Sequence, residues 1–89
     1  MPVLLVPGVL RAEAGGASRL EIAAAGTLGA VLAEVGERWP LLSRRIRDER
    51  GAVRRYVNVF VDGEQAVLET PVAPGSEIQV LPSVAGGAR

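Results

Sequence analysis

The chain has 89 residues, nearly half of them apolar, and a formal net charge of zero. This bounds it to one folded domain with a modest core and little room for an internal pocket. It contains no cysteine, histidine or lysine, which excludes thiolate chemistry, Cys- or His-ligated metal, an imidazole base and lysine Schiff-base chemistry.

The first predicted element is a strand over Pro2 to Arg11, whose Val3-Leu4-Leu5-Val6 run is apolar on both faces, as in a strand inside a sheet. Its two prolines and lack of a basic leader argue against a signal peptide. Gly8 marks a bulge or bend, and Gly15-Gly16 marks a turn. Ser18 to Ala25 alternates, with Leu20 and Ile22 on one face and Arg19 and Glu21 on the other, giving a half-buried second strand and hence a hairpin.

Leu28, Val31, Leu32, Val35 and Trp39 then fall at helical spacing. Thr27 is placed to cap that helix and Pro40 to end it, with Trp39 as a lid over the helix end. Pro40 to Gly51 has room for a short second helix with Leu42 and Ile46 inward. Val53 to Val61 is the clearest strand, with Val57, Val59 and Val61 facing one way and Tyr56, Asn58 and Phe60 the other. Asp62-Gly63 is a tight-turn signal. Glu64 to Leu68 returns as a short strand, and Thr70 to Gly75 is a loop. Glu77 to Leu81 is the last strand, with Ile78 and Val80 inward. Residues 1–82 are expected to fold, and 83–89 to form an extended, mobile tail.

Strands on either side of one main helix imply an α+β layer, a mixed sheet of four to five strands with the helix on one face. The first and last strands are expected side by side at its centre. The predicted core is Leu28, Val31, Leu32, Val35, Val57, Val59, Ile78 and Val80. With the helix on the valine face, Phe60 and Leu81 fall on the opposite face. They form an apolar patch suited to a protein partner, unless the segment from Pro40 to Arg54 folds over them.

No catalytic residue emerges. The four serines, Ser18, Ser43, Ser76 and Ser83, have no evident base, and the ten acids show no pair set in apolar surroundings. No apolar run approaches the ~20 residues of a membrane span, so the cytoplasm is the expected compartment. Arg44, Arg45, Arg47, Arg50, Arg54 and Arg55 cluster between helix and middle strand, partly offset by Asp48 and Glu49. Without net positive charge or an aromatic platform, this reads as a solvated or partner-steering surface and not a nucleic-acid site.

The strand Arg55 to Gly63, the helix start Thr27-Leu28-Gly29-Ala30-Val31-Leu32 and the ending Pro74 to Gly87 resemble the MoaD/ThiS group of sulfur carriers, over nearly the whole chain. Within the group, the length and the Leu81-Pro82-Ser83-Val84-Ala85-Gly86-Gly87 ending are most similar to carriers for cysteine synthesis. The resemblance implies a ubiquitin-like β-grasp and a carrier that is not itself an enzyme. It implies that an adenylating enzyme of the MoeB/ThiF type, using ATP, activates the Gly87 carboxylate. The carrier itself then binds no cofactor or metal. A sulfur donor converts the adenylate to a thiocarboxylate, which passes sulfur to a biosynthetic enzyme. Val84, Ala85 and Gly86 would thread the tail into the activating enzyme. Two glycines suit a narrow channel, having no side chains and wide backbone freedom.

The chain departs from that pattern by continuing to Ala88-Arg89. Either these residues are a precursor tail, removed by a zinc metalloprotease of the JAMM type, or they are not native, or the chain is not a competent carrier. The alternatives to a carrier for cysteine or another sulfur metabolite are a ubiquitin-like protein modifier, the small subunit of molybdopterin synthase, and an RNA-linked β-grasp module.

Overall fold

The Val3-Leu4-Leu5-Val6 run builds the strand β1 (Val3–Leu5), which pairs antiparallel with β2 (Arg19–Glu21). The computed structural model, which describes residues 1–83, brings the far end of the sequence to the other edge of β1. There β1 pairs parallel with β7 (Glu77–Pro82). β7 pairs antiparallel with β4 (Val57–Val61), and β4 with the short β5 (Glu64–Gln65). The order is β2-β1-β7-β4-β5, a mixed five-stranded sheet with the first and last strands adjacent at its centre.

Strand alternation sorts its side chains. Leu4 lies opposite Leu20 and Ile78, Val59 opposite Val80, and Val61 opposite Ile78. All of these are buried on one face. Over that face runs α1 (Leu28–Arg38), whose first turn is capped where Thr27 Oγ1 accepts the Ala30 N–H at 3.2 Å. Its stripe Leu28, Val31, Leu32 and Val35 is buried, so the whole predicted core is found in place. Trp39 ends α1 half-buried against the core edge, with the Arg38 guanidinium 4.2 Å above its ring. Pro40 opens a second helix, α2 (Pro40–Ile46), where a missing N–H is harmless. α2 buries Leu42 and Ile46 in the same core.

Several segments differ from the expectation. The first strand does not run to Arg11; Gly8–Ala14 is a 3-10 helix. Pro7 cannot donate to a ladder, and Leu10 and Ala14 gain burial by turning back onto the core. Val53 to Tyr56 is not strand, apart from one bridge from Val53 to Arg47. The loop there is held by Asp48, whose carboxylate accepts the Arg50 and Ala52 N–H groups at 2.9 and 3.1 Å. Beyond β5, the chain turns so that the Leu68 carbonyl accepts the Gly29 N–H at 2.9 Å. The predicted Thr70–Gly75 loop contains β6 (Pro71–Val72), which pairs with β3 (Gly26–Thr27) in a second small sheet.

The Asp62-Gly63 turn has both residues left-handed, φ 51° and 87°, as a two-residue hairpin between β4 and β5 requires. Asp62 also ties this turn to the start of β7. Its Oδ1 accepts the Glu77 N–H at 2.9 Å and its Oδ2 the Ser76 hydroxyl at 2.8 Å. The Glu77 N–H, then the Ser76 hydroxyl, hold the Asp62 carboxyl below its ordinary range.

A carboxyl whose folded pKa is depressed contributes stability above its unfolded pKa and loses it as pH falls through the folded value. Asp62→Asn keeps a side chain that tolerates left-handed backbone. The wild type should therefore melt higher than Asp62→Asn at neutral pH. The gap should close as the pH drops below about 4, where an unfolded aspartate titrates. Thermal melts of both proteins from pH 7 downward measure this. A gap independent of pH would show that the Asp62 charge has no part in the tie.

Candidate functional site: the tail base and the open sheet face

β7 runs out of the sheet at Pro82, opposite Val57. One further rung follows, the Ser83 N–H donating to the Tyr56 carbonyl at 2.6 Å. The chain therefore leaves the sheet beside Tyr56, at a hollow lined by Val9, Leu10, Arg45, Tyr56, Pro82 and Ser83. The sequence-predicted tail residues Val84, Ala85, Gly86 and Gly87, with Ala88 and Arg89, lie outside the described residues. Covalent geometry still bounds them. Gly87 is four residues past Ser83, and an extended chain spans at most about 3.5 Å per residue, so Gly87 lies within about 14 Å of Ser83.

The second predicted site is the sheet face away from α1. Across it, the strand register aligns Arg19, Leu5, Gln79, Phe60 and Gln65 in one row, with Leu81 and Asn58 in the next. Leu81 is 46% exposed and Phe60 half-buried. The segment from Pro40 does not fold over this face. α2 packs on α1 and on the 3-10 helix, on the valine side of the sheet. Phe60 and Leu81 thus share one open face whose far edge is the tail base.

The titratable groups have structural roles. Ser76 is buried, donates to Asp62 and accepts the Ala73 N–H at 2.9 Å, so this Ser–Asp pair is a turn brace. A carboxyl held below its ordinary range is also a poor base. Asp48 is likewise held low, first by the Ala52 N–H. Glu34 on α1 accepts the Ala23 and Ala24 N–H groups and pairs with Arg38 at 2.7 Å. The Ala23 N–H, then Arg38, depress its pKa. Among the described residues, no group of three or more His, Cys, Asp or Glu side chains could hold a metal ion. Nor is any helix there long and apolar enough to cross a membrane.

Two features were not foreseen. Arg47 and Arg54 are not free surface cations, since their Nε atoms donate to the carbonyls of Gly51 and Arg44, each at 2.7 Å. Glu13 sits under the arginine cluster, its Oε2 3.9 Å from Arg45 Nε and its Oε1 buried without a hydrogen-bond partner. No periodicity marked either one, because both depend on the loop and the 3-10 helix meeting α2.

A mixed sheet with its first and last strands parallel at the centre, crossed on one face by a helix, defines a ubiquitin-like β-grasp protein. The ThiS family model matches residues 4–87, and the chain belongs to the ThiS family. It is 34% identical over 88 residues to the sulfur carrier protein CysO of Mycobacterium tuberculosis, covering 92% of this chain and 94% of that one. The crystal structure of that species' CysO superimposes with a TM-score of 0.84 at 29% identity, over 94% of this chain and all of the other. The chain is similar to a structure of the Amycolatopsis orientalis BexX/CysO complex, with a TM-score of 0.82 at 29% identity, covering 98% of this chain and 100% of that one. It also resembles small archaeal modifier protein 1 of Haloferax volcanii, 31% identical over 69 residues, 78% of this chain and 79% of that protein. The crystal structure of that modifier gives a TM-score of 0.80 at 27% identity, over 97% and 98% of the two chains.

Proposed function

We propose that this protein is a sulfur carrier whose reacting atom is the carboxyl carbon of Gly87. The observation that carries the proposal is the Gly86-Gly87 pair, three and four residues past the last sheet rung at Ser83, in a chain whose ThiS match ends at Gly87. The name of the mycobacterial relative, a sulfur carrier, supports it.

The protein supplies a rigid platform and an address, not catalysis. A Gly87 carboxylate oxygen attacks the α-phosphate of ATP in a MoeB/ThiF-type enzyme, giving an acyl adenylate and pyrophosphate. A sulfur donor then displaces AMP and leaves a thiocarboxylate. That sulfur serves a biosynthetic enzyme, for cysteine or another sulfur metabolite, in the cytoplasm where ATP is at hand. The solved BexX/CysO complex lends support to a carrier that docks on a second protein. Gly87 is joined to Ala88 by a peptide bond, so hydrolysis of that bond comes first, by a JAMM-type metalloprotease. The likeness to an archaeal modifier protein favours one second reading, in which the same adenylate is transferred to lysines of other proteins.

The test is to mix the chain ending at Gly87 with the host's adenylating enzyme, ATP and a sulfur donor. AMP release and a thiocarboxylate on Gly87 are expected; protein–protein conjugates without thiocarboxylate would favour the modifier reading.

The open sheet face is the docking surface for that enzyme. Anchor side chains carry most of an interface's energy, so Phe60→Ala and Leu81→Asp should each weaken binding by about 1–2 kcal/mol while the melting temperature stays near wild type. Titration calorimetry checks this. Unchanged affinity in both variants would remove the open face from the interface.

A further inference from the structure

The zero net charge of the chain conceals where its cations lie. α2 presents Arg44 and Arg45 to solvent, and the segment leading into β4 presents Arg50 and Arg55. Among the described residues, Arg44, Arg50 and Arg55 have no carboxylate within 4.0 Å, and Arg45 only approaches Glu13 at 3.9 Å. Exposed apolar groups stand among them: Val9 is 72% exposed, Leu41 60% and Tyr56 54%. Tyr56 is common to three adjoining hollows, which join the arginines to the tail base at Pro82 and Ser83. Unpaired guanidinium groups around exposed apolar side chains are the composition of an interface, where arginine and tyrosine are enriched.

The position of this patch identifies its occupant. Gly87 lies within about 14 Å of Ser83, so an enzyme that encloses Gly87 must set its own surface against the residues around Ser83. We propose that the Arg44, Arg45, Arg55 and Tyr56 surface docks on an acidic rim around the tail channel of the adenylating enzyme. This inference rests on the carrier reading above. It adds a second contact area, around Tyr56 at the tail base and beyond Phe60 and Leu81 along the strands, with a different job. Rim charges act on association rate and salt dependence, and chemistry at Gly87 is left alone. Tyr56, the large side chain at the centre of the patch, is the anchor. A single exposed tyrosine makes no stacking platform for bases, which favours a protein partner over nucleic acid.

The experiment is steady-state adenylation of the chain ending at Gly87, varied as substrate, at low and high salt. For wild type, the KM should rise with salt, since the Debye length falls from about 10 Å at 0.1 M to about 3 Å at 1 M. The double variant Arg45→Glu/Arg55→Glu should raise KM on the order of tenfold at low salt, with kcat unchanged and the salt dependence flattened. Both side chains are exposed, so the fold should hold, and circular dichroism checks it. If it does not hold, Arg45→Gln/Arg55→Gln gives the same reading with a smaller KM change. A variant with wild-type KM and salt response overturns the proposal while leaving the carrier function intact. So does salt-sensitive retention of wild type on RNA combined with an unaltered KM in the variant. Absence of adenylation in the wild type would instead contradict the carrier reading beneath it.

Discussion

A chain that ends at Gly87 should be adenylated and loaded with sulfur, and one that runs on to Arg89 should not. The chemistry requires a free carboxylate at the α-phosphate of ATP. With Ala88 attached, the Gly87 carbonyl belongs to an amide and has no anionic oxygen to offer. Arg89 would carry a free carboxylate in such a chain, but its long guanidinium side chain would have to enter with it wherever the two glycines are received. Desolvating an unpaired cation there costs several kcal/mol, and each 1.4 kcal/mol is a factor of ten in rate. A loss of at least about a hundredfold follows. Two purified proteins, one ending at Gly87 and one at Arg89, are compared by AMP release and by the mass gain of sulfur replacing oxygen. Equal activity of the two would sink the precursor idea. Gly87→Val in the shorter protein is the companion test. It should fold normally and react poorly, because a branched side chain stands where glycine leaves the approach open.

The second large effect concerns the platform. Ile78 is fully buried at the centre of β7, opposite Leu4 on one neighbouring strand and Val61 on the other. Ile78→Ala removes three carbon atoms from the most enclosed part of a small core. The expected cost is about 2–5 kcal/mol, a large share of the about 5–15 kcal/mol that holds a typical domain folded. Each kcal/mol lowers Tm by about 4–8 °C in a domain of this size. A melt that falls by only a degree or two would mean that the core closes around the gap, or that β7 is not its centre. Loss of β7 would also release the Ser83–Tyr56 rung, so sulfur loading should fall with the folded fraction.

What the sequence disclosed follows from where periodicity is strong. Leu28, Val31, Leu32 and Val35 repeat at helical spacing and Val57, Val59 and Val61 at strand spacing, because each set lines one face against one core. That β1 and β7 lie side by side at the centre was legible from the apolar character of Val3 to Val6 and Ile78 to Val80; that they run parallel came from the structure. The missed elements are those with no period to read. β3 and β6 have two residues each and are held by pairing with one another across the fold. The 3-10 helix after Pro7 depends on Leu10 and Ala14 finding the core, which no local pattern announces. At the site, the shared face of Phe60 and Leu81 was readable because both fall out of phase with the core valines; that α2 leaves it uncovered was not, because it depends on α2 packing on α1. Arg47 and Arg54 read as surface charge because their carbonyl partners, Gly51 and Arg44, become partners only once the loop has closed.

The most direct test of the central claim is the mass of the protein isolated from its native host, with fragmentation to locate the end of the chain. The expected species ends at Gly87, with sulfur in place of one carboxyl oxygen in part of the population. A protein that retains Ala88 and Arg89 throughout, with no sulfur at any terminus, would contradict the account.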